Sequence, residues 1–138
     1  MVQNGHPISV LFVDDDPDMR TIYGGRLQAD GFDVRFASDG PEALDAATRP
    51  LDLVLLDVRM PGMDGLEVLR RLKDDAGMAE VPVVMLSNER EEASVRRARA
   101  MGAAAWWDKL EVVPAELSRR VGDLLRWPGG GGPQPVIS

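Results

Sequence analysis

The chain has 138 residues, 44% of them hydrophobic, with one histidine and no cysteine. That length supports one domain with a full core, and the missing thiols exclude disulfides, thiolate metal sites and cysteine nucleophiles. A formal net charge of -7 opposes direct DNA binding, which needs a basic footprint.

Residues 1–7 are polar and read as a flexible lead-in. No basic region followed by an apolar stretch marks a signal peptide, and no apolar run approaches the roughly 18 residues of a membrane span. Ile8–Val13 is a buried strand that runs into Asp14-Asp15-Asp16-Pro17. Asp18–Ala29 has apolar residues near a helical period, with Gly24 and Gly25 inside it, each costing about 1 kcal/mol relative to alanine. Asp30-Gly31 stops this helix, and Phe32–Phe36 alternates apolar with charged residues, the pattern of a sheet edge. Asp39-Gly40-Pro41-Glu42 opens a second helix with an Ala43, Leu44, Ala47 face, closed by Pro50.

Leu51–Leu56 is a strand that halts on Asp57, ahead of a Met60-Pro61-Gly62 turn. Asp64 caps a third helix that turns Leu66, Leu69 and Leu72 inward. Val81–Leu86 is a buried strand ending at Ser87-Asn88, and the charged helix Glu89–Met101 stops at Gly102. Ala103–Trp107 is a short strand ending at Asp108-Lys109, and a last helix begins at Val113-Pro114 with Leu117, Val121, Leu124 and Leu125 on one face. The stretch 128–138, with four consecutive glycines and three prolines, reads as a flexible tail beyond a folded domain at 8–127. Five strands alternating with five helices predict an α/β fold, a parallel sheet wound on both faces.

In such a sheet the strand ends converge on one edge. The first strand ends in Asp14-Asp15, the third in Asp57, the fourth in Ser87 and the fifth in Lys109. Carboxylates brought together there repel by roughly 4 kcal/mol per close pair at ~4 Å and an effective dielectric near 20. Either protons or a cation must relieve that repulsion, and for a cation an all-oxygen ligand set favours a hard ion, Mg²⁺ or its relative Mn²⁺. A carboxylate beside such an ion, an ammonium and a hydroxyl suits attack on a phosphoryl group. The chain has no G-x-x-x-x-G-K-[ST] loop of its own, so the phosphoryl group must come from another molecule.

The motifs Val10-Leu11-Phe12-Val13-Asp14-Asp15-Asp16, Leu55-Leu56-Asp57-Val58-Arg59-Met60-Pro61-Gly62-Met63-Asp64-Gly65, Pro82-Val83-Val84-Met85-Leu86-Ser87 and Gly102-Ala103 through Lys109 resemble the receiver domains of two-component response regulators. The resemblance covers about residues 8–127. It implies a flavodoxin-like five-stranded sheet in the order 2-1-3-4-5. It also implies Asp57 as phosphoacceptor, Asp14 and Asp15 as the acidic pair at the metal, and the Arg59 backbone carbonyl as a further ligand. Ser87 matches the switch hydroxyl, Lys109 the pairing lysine and Trp106 the aromatic switch position.

Four departures stand out. Leu110 replaces the proline that usually follows the lysine in a cis bond. A cis bond before leucine costs about 3 kcal/mol, so a trans peptide is expected. The following loop is one residue longer. Asn88 is bulkier and more polar than the usual small residue. Trp106 is larger than the usual tyrosine or phenylalanine, which crowds the inward rotamer.

The resemblance implies a cytoplasmic, apparently stand-alone response regulator. Its partners are a histidine kinase or phosphotransfer protein and a downstream protein target, met through a face where Arg96, Arg97, Arg99 and Trp106 gather. It is a phosphoacceptor rather than an enzyme. The alternative is a receiver-like interaction module that signals without phosphorylation, separable by its Mg²⁺ affinity. A phosphatase with an aspartyl nucleophile needs an acid two residues beyond that nucleophile, where this chain has Arg59.

Overall fold

The computed structural model describes residues 2, 3 and 5–126. Five strands, β1 (Ser9–Val13), β2 (Asp33–Ala37), β3 (Leu53–Asp57), β4 (Val83–Ser87) and β5 (Ala105–Asp108), form one parallel sheet in the order β2-β1-β3-β4-β5. The order matches the one the resemblance implies, and β2 is an edge as its alternation predicts. The strands buried on both faces, β3 and β4, have no exposed residue, because helices cover them on either side.

The helices are set by their caps. Asp16, Asp39 and Asp64 each accept a hydrogen bond from a backbone N–H in the first turn of the helix they start. Three continuous segments, Pro17–Met19, Arg20–Gly24 and Gly25–Ala29, make helix α1, and the middle one is a π turn. The Gly24-Gly25 pair thus sits in an unbroken helix. A Cβ at Gly24 would overlap the Phe36 ring, so the missing side chain lets β2 pack directly on the helix. Helices α2 (Gly40–Ala46), α3 (Gly65–Asp74), α4 (Glu92–Ala100) and α5 (Pro114–Arg126) follow. Gly102, at φ 101°, turns the chain from α4 toward β5.

Two cores flank the sheet. Tyr23 and Leu27 of α1 pack with Leu117 and Val121 of α5 and with Trp107. On the other face Ala43, Leu66, Leu69, Leu72, Val95 and Ala98 of α2, α3 and α4 pack with Trp106. Consecutive tryptophans on β5 therefore point into opposite cores. Where the sequence suggests a loose lead-in, residues 2–3 pair with 6–7 as a short antiparallel ladder. The stretch 128–138, expected to be a flexible tail, lies outside the described residues.

Strand register sets the levels at the C-terminal edge of the sheet. Val13 pairs with Leu56, so Asp14 and Asp57 follow at the same height on adjacent strands. Asp57 pairs with Leu86 and Ser87 with Asp108, which puts Ser87 one step and Lys109 two steps further out. A carboxylate floor with a hydroxyl and an ammonium above it follows from pairing alone.

Candidate functional site

A cleft of about 330 Å³ opens at this edge, lined by Asp14, Asp15, Asp57, Arg59, Ser87, Asn88 and Lys109, with Met19 and Glu89. Seven of the eight residues singled out in the sequence meet there. The eighth, Trp106, is in the core.

Asp14, Asp57, Ser87 and Lys109 are all buried, while Asp15 is exposed at the mouth. The Lys109 ammonium lies 2.6 Å from Asp14 Oδ2 and 3.4 Å from Asp57 Oδ1, bridging the two carboxylates. Burial pushes the Asp57 carboxyl up from 3.8 to about 7; Lys109 opposes the rise, and the Asp14 and Asp15 charges add to it. Burial works against the charged form of Lys109 as well. The hydrogen bond to Asp14 and the Asp57 and Asp14 charges outweigh it, so the ammonium is held above its ordinary range.

Local hydrogen bonds hold the carboxylate floor. Asp14 Oδ1 accepts from the Asp16 N–H at 3.0 Å, and the Asp14 carbonyl accepts from the Arg20 guanidinium at 2.6 Å. Behind Asp57 the chain runs so close to α3 that a Cβ at Gly65 would press on the Asp57 carbonyl oxygen and lie 2.8 Å from Val58 Cα. The Gly65 N–H instead donates to the Val58 carbonyl at 2.8 Å. Ser87 Oγ accepts from the Glu89 N–H at 3.1 Å, which leaves its own proton free to donate. Asn88 is exposed at the rim, and the Arg59 side chain turns outward to Glu89 at 3.0 Å and Glu91 at 3.8 Å.

The donor set fits a hard divalent cation. One carboxylate oxygen each from Asp14, Asp15 and Asp57 lie within 4.8 Å of one another, with no nitrogen or sulfur ligand among them. Three acids at this spacing, two of them buried, with a single ammonium between them, leave uncompensated charge that such an ion would offset.

The Lys109–Leu110 peptide is trans, no cis bond occurring among the described residues, and Leu110 is 79% exposed. Trp106, expected to be crowded out of the inward position, is only 8% exposed and packs in the core that holds Val95 and Ala98. The small side chains α4 offers there make the room. Its indole N–H finds no partner, which is unusual for a buried tryptophan.

Sequence reasoning missed Arg20, which bonds six residues back to the Asp14 carbonyl, and Tyr23, whose hydrogen bonds reach across the fold to the Lys109 loop. Tyr23 lies 86 residues from Lys109, and no local motif announces the pairing.

A doubly wound sheet with buried carboxylates, a hydroxyl and a lysine at its C-terminal edge defines a phosphoryl-accepting signalling domain. The chain belongs to the response regulator receiver domain family, whose profile matches residues 10–120. It is 40% identical over 119 residues to the DNA-binding response regulator MtrA of Mycolicibacterium smegmatis, covering 85% of this chain and 50% of that one. It is 36% identical over 118 residues to a gliding motility regulatory protein of Myxococcus xanthus, covering 85% of this chain and 15% of the other. This chain therefore spans half or less of these relatives. Among solved structures, Vibrio cholerae chemotaxis protein CheY4 superposes with a TM-score of 0.79 at 31% identity, over 84% of this chain and 97% of that one. A CheY-like receiver domain protein from Methanospirillum hungatei gives 0.83 at 23% identity, over 91% and 99%, a likeness of fold. Phosphorylation on an aspartate is general to the family, as is Mg²⁺ at its acidic pocket.

Proposed function

We propose that Asp57 accepts a phosphoryl group from a partner histidine kinase or phosphotransfer protein, and that the chain then changes its contacts with a downstream protein. The observation that carries this reading is the buried bridge from Lys109 to both Asp14 and Asp57 at the floor of the cleft. An Asp57 oxygen attacks phosphorus as the donor's leaving group departs in line. Lys109 offers a cation, and Ser87 a hydroxyl, to the equatorial oxygens. Asp14, Asp15, Asp57 and the Arg59 carbonyl would hold Mg²⁺ or Mn²⁺, which supplies charge neutralisation when bound.

The downstream surface is α4. The Arg96, Arg97 and Arg99 side chains are exposed and, among the described residues, make no ion pair or hydrogen bond. Most other described cations are paired with acidic side chains. Three unpaired arginines on one helix, backed by Trp106 in the core, favour an acidic protein partner. The proposal carries a cytoplasmic location. No described helix is long and apolar enough to cross a membrane.

Incubating the intact chain with Mg²⁺ and acetyl phosphate tests the reading by mass spectrometry. A phosphoryl mass gain, absent in Asp57→Ala and abolished by chelation, is expected. No gain, or an equal gain in the variant, would sink it in favour of an unphosphorylated interaction module.

A further inference from the structure

The loop that carries Lys109 is anchored by a side chain at its far end only: Val112 is 1% exposed and packs in the core with Leu117 and Val121. Leu110 is 79% exposed and Val113 60% exposed, so neither adds a second anchor. The near end, at Lys109, is ordered through the backbone. Asp108 closes one turn, its carbonyl accepting from the Glu111 and Val112 N–H groups at 3.0 Å each and its carboxylate from the Leu110 N–H at 2.8 Å. The Lys109 N–H donates to the Ser87 carbonyl at 2.8 Å. The free side of this turn is then held from elsewhere. The buried Tyr23 hydroxyl of α1 shares its proton between the Lys109 carbonyl at 3.0 Å and the Val112 carbonyl at 2.9 Å.

We propose that Tyr23 is a positioning residue for phosphoryl transfer: its hydroxyl clamps both ends of the Lys109–Val112 turn to α1 and so holds the Lys109 ammonium between Asp14 and Asp57. The inference rests on the reading of Asp57 as acceptor and Lys109 as the cation that pairs with the phosphoryl group.

A second observation supports it. Arg20, which donates to the Asp14 carbonyl at 2.6 Å, and Tyr23 both lie in the π turn Arg20–Gly24. One widened turn therefore ties down the acidic loop at one end and the lysine loop at the other. Wide turns of this kind recur where a helix must present side chains to a site. Burial also raises the phenol, which keeps it a neutral donor. Without the hydroxyl, two carbonyls lose their donor, the Lys109–Leu110 side of the turn pulls toward water about the buried Val112, and the ammonium leaves the carboxylate pair.

Tyr23→Phe tests this, because it removes one oxygen and leaves the ring in the core. With acetyl phosphate and saturating Mg²⁺, the maximal phosphorylation rate should fall about tenfold, with Mg²⁺ affinity within about twofold of the parent. Val121→Ala, which thins the same core but keeps the Tyr23 hydroxyl and its two acceptors, is the control and should lower the melting temperature while leaving the rate intact. A Tyr23→Phe rate equal to the parent's, or a Val121→Ala rate reduced as much, overturns the proposal alone. A parent chain that takes up no phosphoryl group overturns the functional reading and this proposal with it. Tyr23 is the only tyrosine in the chain, so fluorotyrosine incorporation gives a second measurement that risks no loss of fold. Its fluorine resonance should shift on phosphorylation and in Lys109→Met, and a line unmoved in both refutes the clamp.

Discussion

Asp57 is a carboxylic acid placed where its charge is costly. Its folded pKa of about 7 lies above its ordinary 3.8, so between these values the folded chain keeps a proton that the unfolded chain has lost. Its contribution to stability is fully present below pH ~4 and is lost as the pH rises through about 7. Three pKa steps at about 1.4 kcal/mol each put the loss at roughly 4 kcal/mol. Lys109 is also raised, from 10.5, so its own contribution is lost only above that range and leaves this window untouched. Asp57→Asn should therefore stabilise the metal-free protein by roughly 1–3 kcal/mol at pH 8 and by little at pH 4, measured by urea unfolding at both. Equal effects at the two pH values would show that repulsion and burial do not act on this carboxyl as described. Asp14, Asp57, Ser87 and Lys109 were legible in the sequence because each closes or follows a strand, and parallel strands bring their ends together. Tyr23 was not, because a hydrogen bond between a helix and a loop 86 residues away leaves no periodic trace.

At the scale of elements, capped helix starts were easy to read, whereas uncapped α4 begins at Glu92 rather than Glu89, and helix interiors were not legible. The three aspartate caps stand directly before their helices, and a short acidic side chain satisfies first-turn N–H groups wherever it occurs there. The Gly24-Gly25 pair reads as a weak point in isolation. Only packing shows why the helix continues: Phe36 fills the place a side chain would take, and tertiary contact overrides propensity. Gly65 plays the same part behind the acceptor, where α3 must approach the end of β3. Gly65→Ala should push α3 off Asp57, costing about 1–3 kcal/mol in stability. It should slow phosphorylation more than a destabilising change elsewhere in α3, such as Leu69→Val. Thermal melts combined with phosphorylation rates by intact mass decide this, and an unaltered rate would exclude close packing at Gly65 as what sets Asp57. Helix α4 gives the converse case. Arg96→Glu combined with Arg99→Glu alters exposed, unpaired residues, so stability should stay within about 0.5 kcal/mol and the phosphorylation rate should be unchanged. Binding to an acidic downstream partner should weaken, read by titration calorimetry once that partner is in hand.

Over the whole molecule, the sheet gathers charge faster than it neutralises it. Strand pairing fixes Asp14 and Asp57 at one height whether or not a cation is present, and Asp15 stands at the mouth. Folding without metal therefore works against carboxylate repulsion that the unfolded chain escapes, and any ion bound only by the folded chain adds RT ln(1 + [L]/Kd) to its stability, about 2.7 kcal/mol at a hundredfold excess over Kd. Binding requires Asp57 to be ionised, and it competes with the proton held to about pH 7. Apparent Mg²⁺ affinity should then fall about tenfold per pH unit below pH ~6 and level off above pH ~8. The metal-dependent rise in melting temperature should be several degrees at pH 8 and nearly absent at pH 5, and a chelator should reverse it. In Asp57→Asn the pH dependence should flatten, because the competing proton is gone, even though the weakened site binds less tightly. Scans at both pH values, with and without Mg²⁺, check all three arms. A rise of equal size at pH 5 and pH 8 would mean that the ion binds elsewhere on this acidic surface, away from the proton that Asp57 holds.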